Sequence, residues 1–219
     1  LDHLMQIDIF ALFFVCLCFL FIINGSNLID GFNGLLSIHS LIVISILYYI
    51  NLTNSNYDLA SFLFYVLLII AIFIKFNFPK AQMFLGDGGA YLLGSLIAIS
   101  AISTNNLNLE ISSFFFCILL FYLFFEVFFS FFRKIFVVRQ NPFLPDNKHL
   151  HMLLYKLLLK KNKNKLISNF KTSLYINLAY LILVTPAFIF MHNGLFCRYY
   201  FLILLIIYTY LYNKLKKGV

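Results

Sequence analysis

Long apolar runs separated by short polar breaks make up almost the whole chain. Seven runs stand out, at residues 7–23, 35–52, 59–74, 90–104, 111–132, 173–191 and 195–211. A helix needs about 20 mainly apolar residues to cross a bilayer. Several runs fall short of that, so their ends are set only to within a few residues. Inside lipid only helices and closed barrels satisfy their own backbone. The runs are continuously apolar instead of alternating, which selects helices over a barrel. The expected fold is all-α, a polytopic membrane bundle of about seven transmembrane helices forming one domain over residues 1–219.

A second periodicity lies in the longest polar piece, residues 133–171, after Pro142 and Pro145. Leu150, Leu153, Leu154, Leu157 and Leu158 fall at i, i+3, i+4, i+7 and i+8, one apolar stripe beside lysines. This predicts a short interfacial helix on the inner membrane surface. Asp146 is the expected N-cap, with His149 in the first turn.

Composition agrees with the membrane reading, at 63% hydrophobic, 20% aromatic and 11% charged residues. Charge adds orientation. Fifteen of the sixteen Lys and Arg residues lie in the breaks after runs one, three, five and seven; only Arg198 lies on the other side. By the positive-inside rule those breaks face the cytoplasm, and Leu1, Asp2 and Asp8 start outside. The net charge of +8 is then accounted for by topology and attraction to an anionic lipid surface, and implies no nucleic-acid partner. Cys16, Cys18, Cys117 and Cys197 lack ligand spacing and read as small core residues. With no initiator Met and no basic leader, Leu1 is expected to be an internal point of a longer protein.

The polar residues that need explaining share the cytoplasmic side. The first break, "NGSNLIDGFNGL", spaces Asn24, Asn27 and Asp30 three apart, on one face of a helical backbone. The second, "KFNFPKAQMFLGDGG", sets Asp87 among glycines, and the third contains "PFLPDNKHLH". Each feature alone also suits a plainer role. Asp30 and Asp87 fit turns where a helix leaves lipid, Phe84 fits a lipid or core contact, and His149 and His151 fit ordinary interfacial positions. Taken together they point to chemistry, because carboxylates near membrane depth are costly to retain. Two carboxylates on neighbouring loops suit Mg²⁺, which takes one or two carboxylates plus phosphates and waters. A helix beginning near Gly88 offers unpaired N–H groups to an anion, and histidines beside lysines would neutralise a diphosphate. Glu126, seven residues before Arg133, is expected in a buried structural pair with it. His39, inside the second run, is expected to be an interhelical hydrogen-bonding residue.

The segments "NLIDGFNGL", "FNFPKAQMFLGDGGAYLLG" and "PDNKHLH", in this order and on one membrane face, resemble the polyprenyl-phosphate N-acetylhexosamine-1-phosphate transferases. These are glycosyltransferase family 4 proteins of the O-antigen-initiating branch, related to phospho-N-acetylmuramoyl-pentapeptide transferase. The resemblance implies that a polyprenyl phosphate attacks the β-phosphorus of a UDP-N-acetylhexosamine, releasing UMP with help from Mg²⁺ or Mn²⁺. It implies catalytic roles for Asp30, Asp87, His149 and His151, with Asp87 and Asp30 at the metal. It further implies nucleotide-sugar contacts from Asn24, Asn27, Asn33, Asn77 and Phe84, with Phe84 stacking on uracil. The implied location is the bacterial cytoplasmic membrane, with the site facing the cytoplasm and membrane lipid around it.

Three departures qualify this resemblance. Asn33 stands where many relatives have Asp, and Met152 replaces a third histidine, which favours UDP-GlcNAc or a related aminosugar. Relatives also carry an acidic pair on an earlier cytoplasmic loop, and residues 1–23 hold no equivalent. The chain by itself is therefore expected to have little transferase activity. Two other classes remain open: a non-catalytic remnant or scaffold of this family, and a transporter, although transporters place their polar groups at the midplane. Oligomeric state is open too, with a homodimer among the alternatives.

Overall fold

In the computed structural model, which describes residues 8–142, 144 and 146–218, the apolar runs are helices. They are α1 (Asp8–Ile29), α2 (Leu35–Thr53), α3 (Tyr57–Asn77), α4 (Gly86–Leu107), α5 (Ser113–Leu119), α6 (Phe121–Phe132), α7 (Leu150–Asn162), α8 (Lys165–Ile189) and α9 (Gly194–Gly218). A π-helical segment, Arg133–Val138, continues α6. There is no strand among the described residues. Leu1, Asp2, Ile7 and Pro145 lie outside them.

Helices α1, α2, α3, α4, α8 and α9 are each long and apolar enough to span a bilayer. The expected fifth span is not one rod. Helices α5 and α6 with the π segment form a pair bent by 72°, broken at Leu120, whose backbone leaves the helical region (φ −95, ψ 3). A break at membrane depth needs its freed polar groups satisfied. The Leu119 carbonyl there accepts the Tyr180 hydroxyl of α8 at 2.6 Å.

Other boundaries also move. Helix α1 runs six residues beyond its apolar stretch, so Asn24 and Asn27 are helical. Helix α8 starts at Lys165, not near residue 173, with the Asn164 side chain accepting the Ile167 N–H at 3.0 Å. The amphipathic helix α7 forms as expected, but its stripe does more than meet lipid. Leu150, Leu153 and Leu158 are buried as α7 packs on α8 and α9. Its N-cap position is His149, in extended conformation, and not Asp146. Of the cysteines only Cys197 is buried; Cys16 and Cys117 are exposed on the apolar surface.

The interior is set by two contacts. Helix α2 is the innermost span, packed on α3, α4 and α8. Helix α1 lies against α4 and α6, and the α1–α6 approach requires glycine at position 25. A Cβ there would stand 2.1 Å from the Leu123 carbonyl oxygen, inside any tolerable contact. These packings bring the ends of α1, α3, α6 and α7 together at the lysine-rich end of the bundle.

Candidate active site

The site forms around the five residues that join α1 to α2. Asp30 follows the last turn of α1, its N–H donating to the Asn27 carbonyl at 3.3 Å. Gly34 closes the turn with φ +79, and a Cβ there would stand 2.6 Å from the Phe78 ring, so glycine is required twice over. Contacts from this short turn, and from Asn27 just before it, reach three other parts of the bundle.

Asn27 Nδ2 donates to Asp87 Oδ1 at 2.9 Å, tying the first break to the second. Asn33 Nδ2 donates to the Pro79 carbonyl at 3.0 Å, and its N–H donates to Asn169 Oδ1 of α8 at 2.8 Å. The Gly34 N–H donates to Asn77 Oδ1 at 2.8 Å, while Asn77 Nδ2 donates to the Met83 carbonyl at 2.8 Å. Phe32 lies edge-on to His151 and to Tyr155, with ring centroids 5.5 and 5.2 Å away. One turn thus contacts the second break, the third break and α8.

Asn27, Asp30 and Asp87 gather at one place. Asp87 is the second residue of α4 and is exposed; Asp30 is half-buried. Burial, and then the neighbouring Asp87 charge, push the Asp30 carboxyl up to about 6. Two carboxylates so placed can share a cation. Among the described residues no group of three or more His, Cys, Asp or Glu side chains comes together to cage a metal. A carboxylate pair alone suits an ion that fills the rest of its shell with waters or phosphate oxygens, as Mg²⁺ does. Phe84 is 74% exposed, an aromatic face open to a ligand.

The other expected contact residues are placed differently. Asn77 is buried and its amide is engaged at both ends, so it joins the two loops and does not line an open pocket. Asn24 is exposed, but its Nδ2 is held by the Leu20 carbonyl at 2.7 Å in its own helix. Asn33 is likewise committed to Pro79 and Asn169.

The histidines are buried, and both turn their Nδ1 atoms to Glu126, a partner the sequence reading assigned elsewhere. His149 Nδ1 lies 3.3 Å from Glu126 Oε2 and His151 Nδ1 lies 3.5 Å from Oε1. Arg133, the expected partner of Glu126, instead pairs with Asp146 and lies over the Tyr212 ring. Burial alone would raise the Asp146 carboxyl, but the Arg133 hydrogen bond and charge, with the Lys148 N–H, outweigh it and hold it below the usual range. Lys134 Nζ donates to the Pro142 carbonyl at 3.0 Å and to the Leu144 carbonyl. The two buried cations thereby fold the segment before His149 back onto the π-helical stretch. The sequence placed Glu126 in a structural pair with Arg133 and gave Phe32 and Asn169 no role. Only Glu126 gave a signal, as an acid inside an apolar run.

Similarity to known proteins bears on this site. Residues 2–105, which include Asn27, Asp30 and Asp87, match the family model described as glycosyl transferase family 4. The chain is 31% identical over 199 residues, 91% of its length and 56% of the relative's, to the undecaprenyl-phosphate alpha-N-acetylglucosaminyl 1-phosphate transferase of Thermotoga maritima. It is 39% identical over 79 residues to the phospho-N-acetylmuramoyl-pentapeptide-transferase of Leuconostoc mesenteroides, covering 36% of this chain and 25% of that protein. The Helicobacter hepaticus enzyme of the same name is 32% identical over 118 residues, 47% of this chain and 33% of its own. The chain thus spans just over half the length of the first of these relatives and a quarter to a third of the other two. No solved structure gives a significant match. The stretch that builds the carboxylate site, within residues 2–105, thus matches glycosyl transferase family 4.

Proposed function

We propose that this protein carries the metal and diphosphate site of a sugar-1-phosphate transferase in a bacterial cytoplasmic membrane. An oxygen of polyprenyl phosphate attacks the β-phosphorus of a UDP-N-acetylhexosamine. The bond from that phosphorus to the UMP oxygen breaks, and the products are polyprenyl-diphosphate-sugar and UMP. The observation that carries the reading is the Asn27–Asp87 link beside Asp30, at the lysine-rich end of a membrane bundle.

The chain's own residues supply alignment and charge, which is most of what phosphoryl transfer asks of a protein. Asp87 and Asp30 would hold Mg²⁺, or Mn²⁺ in its place, and a bound divalent ion supplies charge neutralisation at the diphosphate. Asn27 fixes one Asp87 oxygen through its amide. The exposed Phe84 ring offers a stacking face for uracil. His149 faces the same end of the bundle and, with both ring nitrogens protonated, would donate its Nε2–H to a phosphate oxygen. The lysine distribution supports a site that opens to the cytoplasm, where a nucleotide sugar and a lipid phosphate can both arrive. The name of the Thermotoga maritima relative supports N-acetylglucosamine as the sugar and undecaprenyl phosphate as the acceptor. Initiation of an O-antigen-type surface glycan is the corresponding cellular role.

The test is Mg²⁺-dependent release of UMP from UDP-GlcNAc by the full-length protein in lipid with added polyprenyl phosphate. Asp87→Asn is expected to abolish it, and unchanged release in that variant would remove the metal assignment.

A further inference from the structure

Glu126 occupies an unusual position for an acid in an apolar span. It is 1% exposed, and each of its oxygens faces the Nδ1 atom of a different imidazole. The two rings are parallel to within 4°, with centroids 5.6 Å apart. His149 is extended at the N-cap of α7 and His151 lies one residue inside the helix, so two positions along a changing backbone present their rings side by side. The carboxylate comes from α6, on the far side of the break at Leu120, and Arg133 leaves it free by pairing with Asp146.

A carboxylate only accepts hydrogen bonds, so the proton in the His149 contact sits on Nδ1 and the free nitrogen of that ring is Nε2. His151 Nδ1 faces Glu126 Oε1 at 3.5 Å without a hydrogen bond to it and is instead hydrogen-bonded to the Tyr122 hydroxyl at 3.4 Å. The two Nε2 atoms have different surroundings. His151 is 0% exposed and its Nε2 is enclosed without a partner, with the edge contact to Phe32 on the same ring. What little surface the pair retains belongs to His149, at 4%.

We infer that Glu126 is the positioning residue of the site, accepting the Nδ1–H of His149, and that only His149 presents its Nε2 to a ligand while His151 is a buried strut. The strut connects Glu126 to Phe32, and so aligns the α1–α2 turn with the histidine segment. What His149 acts on rests on the transferase reading; the division between the two histidines does not.

The test separates the two claims. Protein in nanodiscs, labelled with ¹⁵N-histidine and assigned by single His→Gln variants, reports the ring tautomers at alkaline pH. In the unsubstituted protein His149 is expected as the Nδ1–H tautomer, and Glu126→Gln is expected to shift it toward Nε2–H. Carbethoxylation mapped by mass spectrometry is expected to modify His149 well ahead of His151. An Nε2–H tautomer of His149 in the unsubstituted protein, or equal modification of both histidines, would overturn the inference. The unsubstituted protein alone decides it if Glu126→Gln fails to fold. In the UMP-release assay Glu126→Gln is expected to lower kcat about 10- to 100-fold, the usual effect of removing an orienting partner, with KM for the nucleotide sugar little changed. If the tautomer behaves as expected but the unsubstituted full-length protein releases no UMP, the function fails and the positioning inference stands.

Discussion

Asn27 and Asp87, sixty residues apart in sequence, are joined by a hydrogen bond of 2.9 Å from the amide of one to the carboxylate of the other. That bond links the last full turn of α1 to the first turn of α4, and it commits one Asp87 oxygen to a protein donor. Asn27→Ala releases that oxygen and lets the carboxylate rotate. Mn²⁺ affinity, followed by electron paramagnetic resonance, is expected to fall about 10- to 100-fold, the range for lost outer partners of a ligand. Asn27→Asp is expected to do worse, because it places a like charge against Asp87.

Asp30 sets the pH response of the cation site. Burial and the Asp87 charge raise its carboxyl to about 6. A group raised in this way holds its proton below that value and must lose it to bind a cation. Cation affinity is therefore expected to be steady above pH 6 and to weaken by roughly tenfold per pH unit below it, as proton and metal compete. Asp30→Asn is expected to lower affinity at neutral pH and to flatten this profile. A profile unchanged in that variant would assign the titration to another group.

Phe84 tests the nucleotide face. At 74% exposure it contributes little to folding, so Phe84→Ala is expected to leave the melting temperature within about a degree or two of the parent. Loss of a base-stacking face is worth about 1–3 kcal/mol. KM for the UDP-sugar is thus expected to rise about 5- to 150-fold, with Phe84→Tyr close to the parent.

Gly25 tests the helix approach that builds the site. Gly25→Ala forces a Cβ toward the Leu123 carbonyl oxygen, 2.1 Å from its ideal position, so α1 and α6 must separate. The expected cost is about 1–3 kcal/mol, read as a lower melting temperature in detergent. Gly31→Ala, where nothing lies within 4 Å of the added carbon, is the control and is expected to be nearly neutral.

The Arg133–Asp146 pair anchors the segment that leads to His149. Its carboxyl is held low by Arg133, so the sign is that of a depressed acid. The stabilisation is present above the unfolded value and is lost as pH falls through the folded one, in the strongly acidic range. Asp146→Asn leaves the Arg133 guanidinium buried beside a neutral partner. Breaking a buried pair on one side costs about 3–5 kcal/mol. The expected readout is faster proteolysis between residues 139 and 149, together with a lower melting temperature.

Much of the architecture was legible in the chain, and the failures have local causes. Apolar runs located six spanning helices because lipid demands length and apolarity, which composition records directly. The fifth run, 111–132, looked continuous because its break falls at Leu120, an apolar residue with no proline or glycine nearby to announce it. The carbonyl freed there is satisfied by Tyr180, sixty-one residues away. Helix α1 outran its apolar stretch for a related reason: Asn24 bonds to Leu20 within the helix, so polarity did not end it.

The sequence by itself determined that this is a helical membrane protein with Asp30, Asp87 and the two histidines on one side, since the alternation of apolar and polar stretches sorts residues between lipid and water. Only the tertiary structure decided which of them meet. It joined Asn27 to Asp87, gave Arg133 to Asp146, and turned both imidazoles toward Glu126. Those choices depend on a helix approach possible only at Gly25 and on the bend at Leu120, and on directional hydrogen bonds between residues far apart in the chain. Periodicity records which face a residue occupies, but it carries no information about the neighbour across that face.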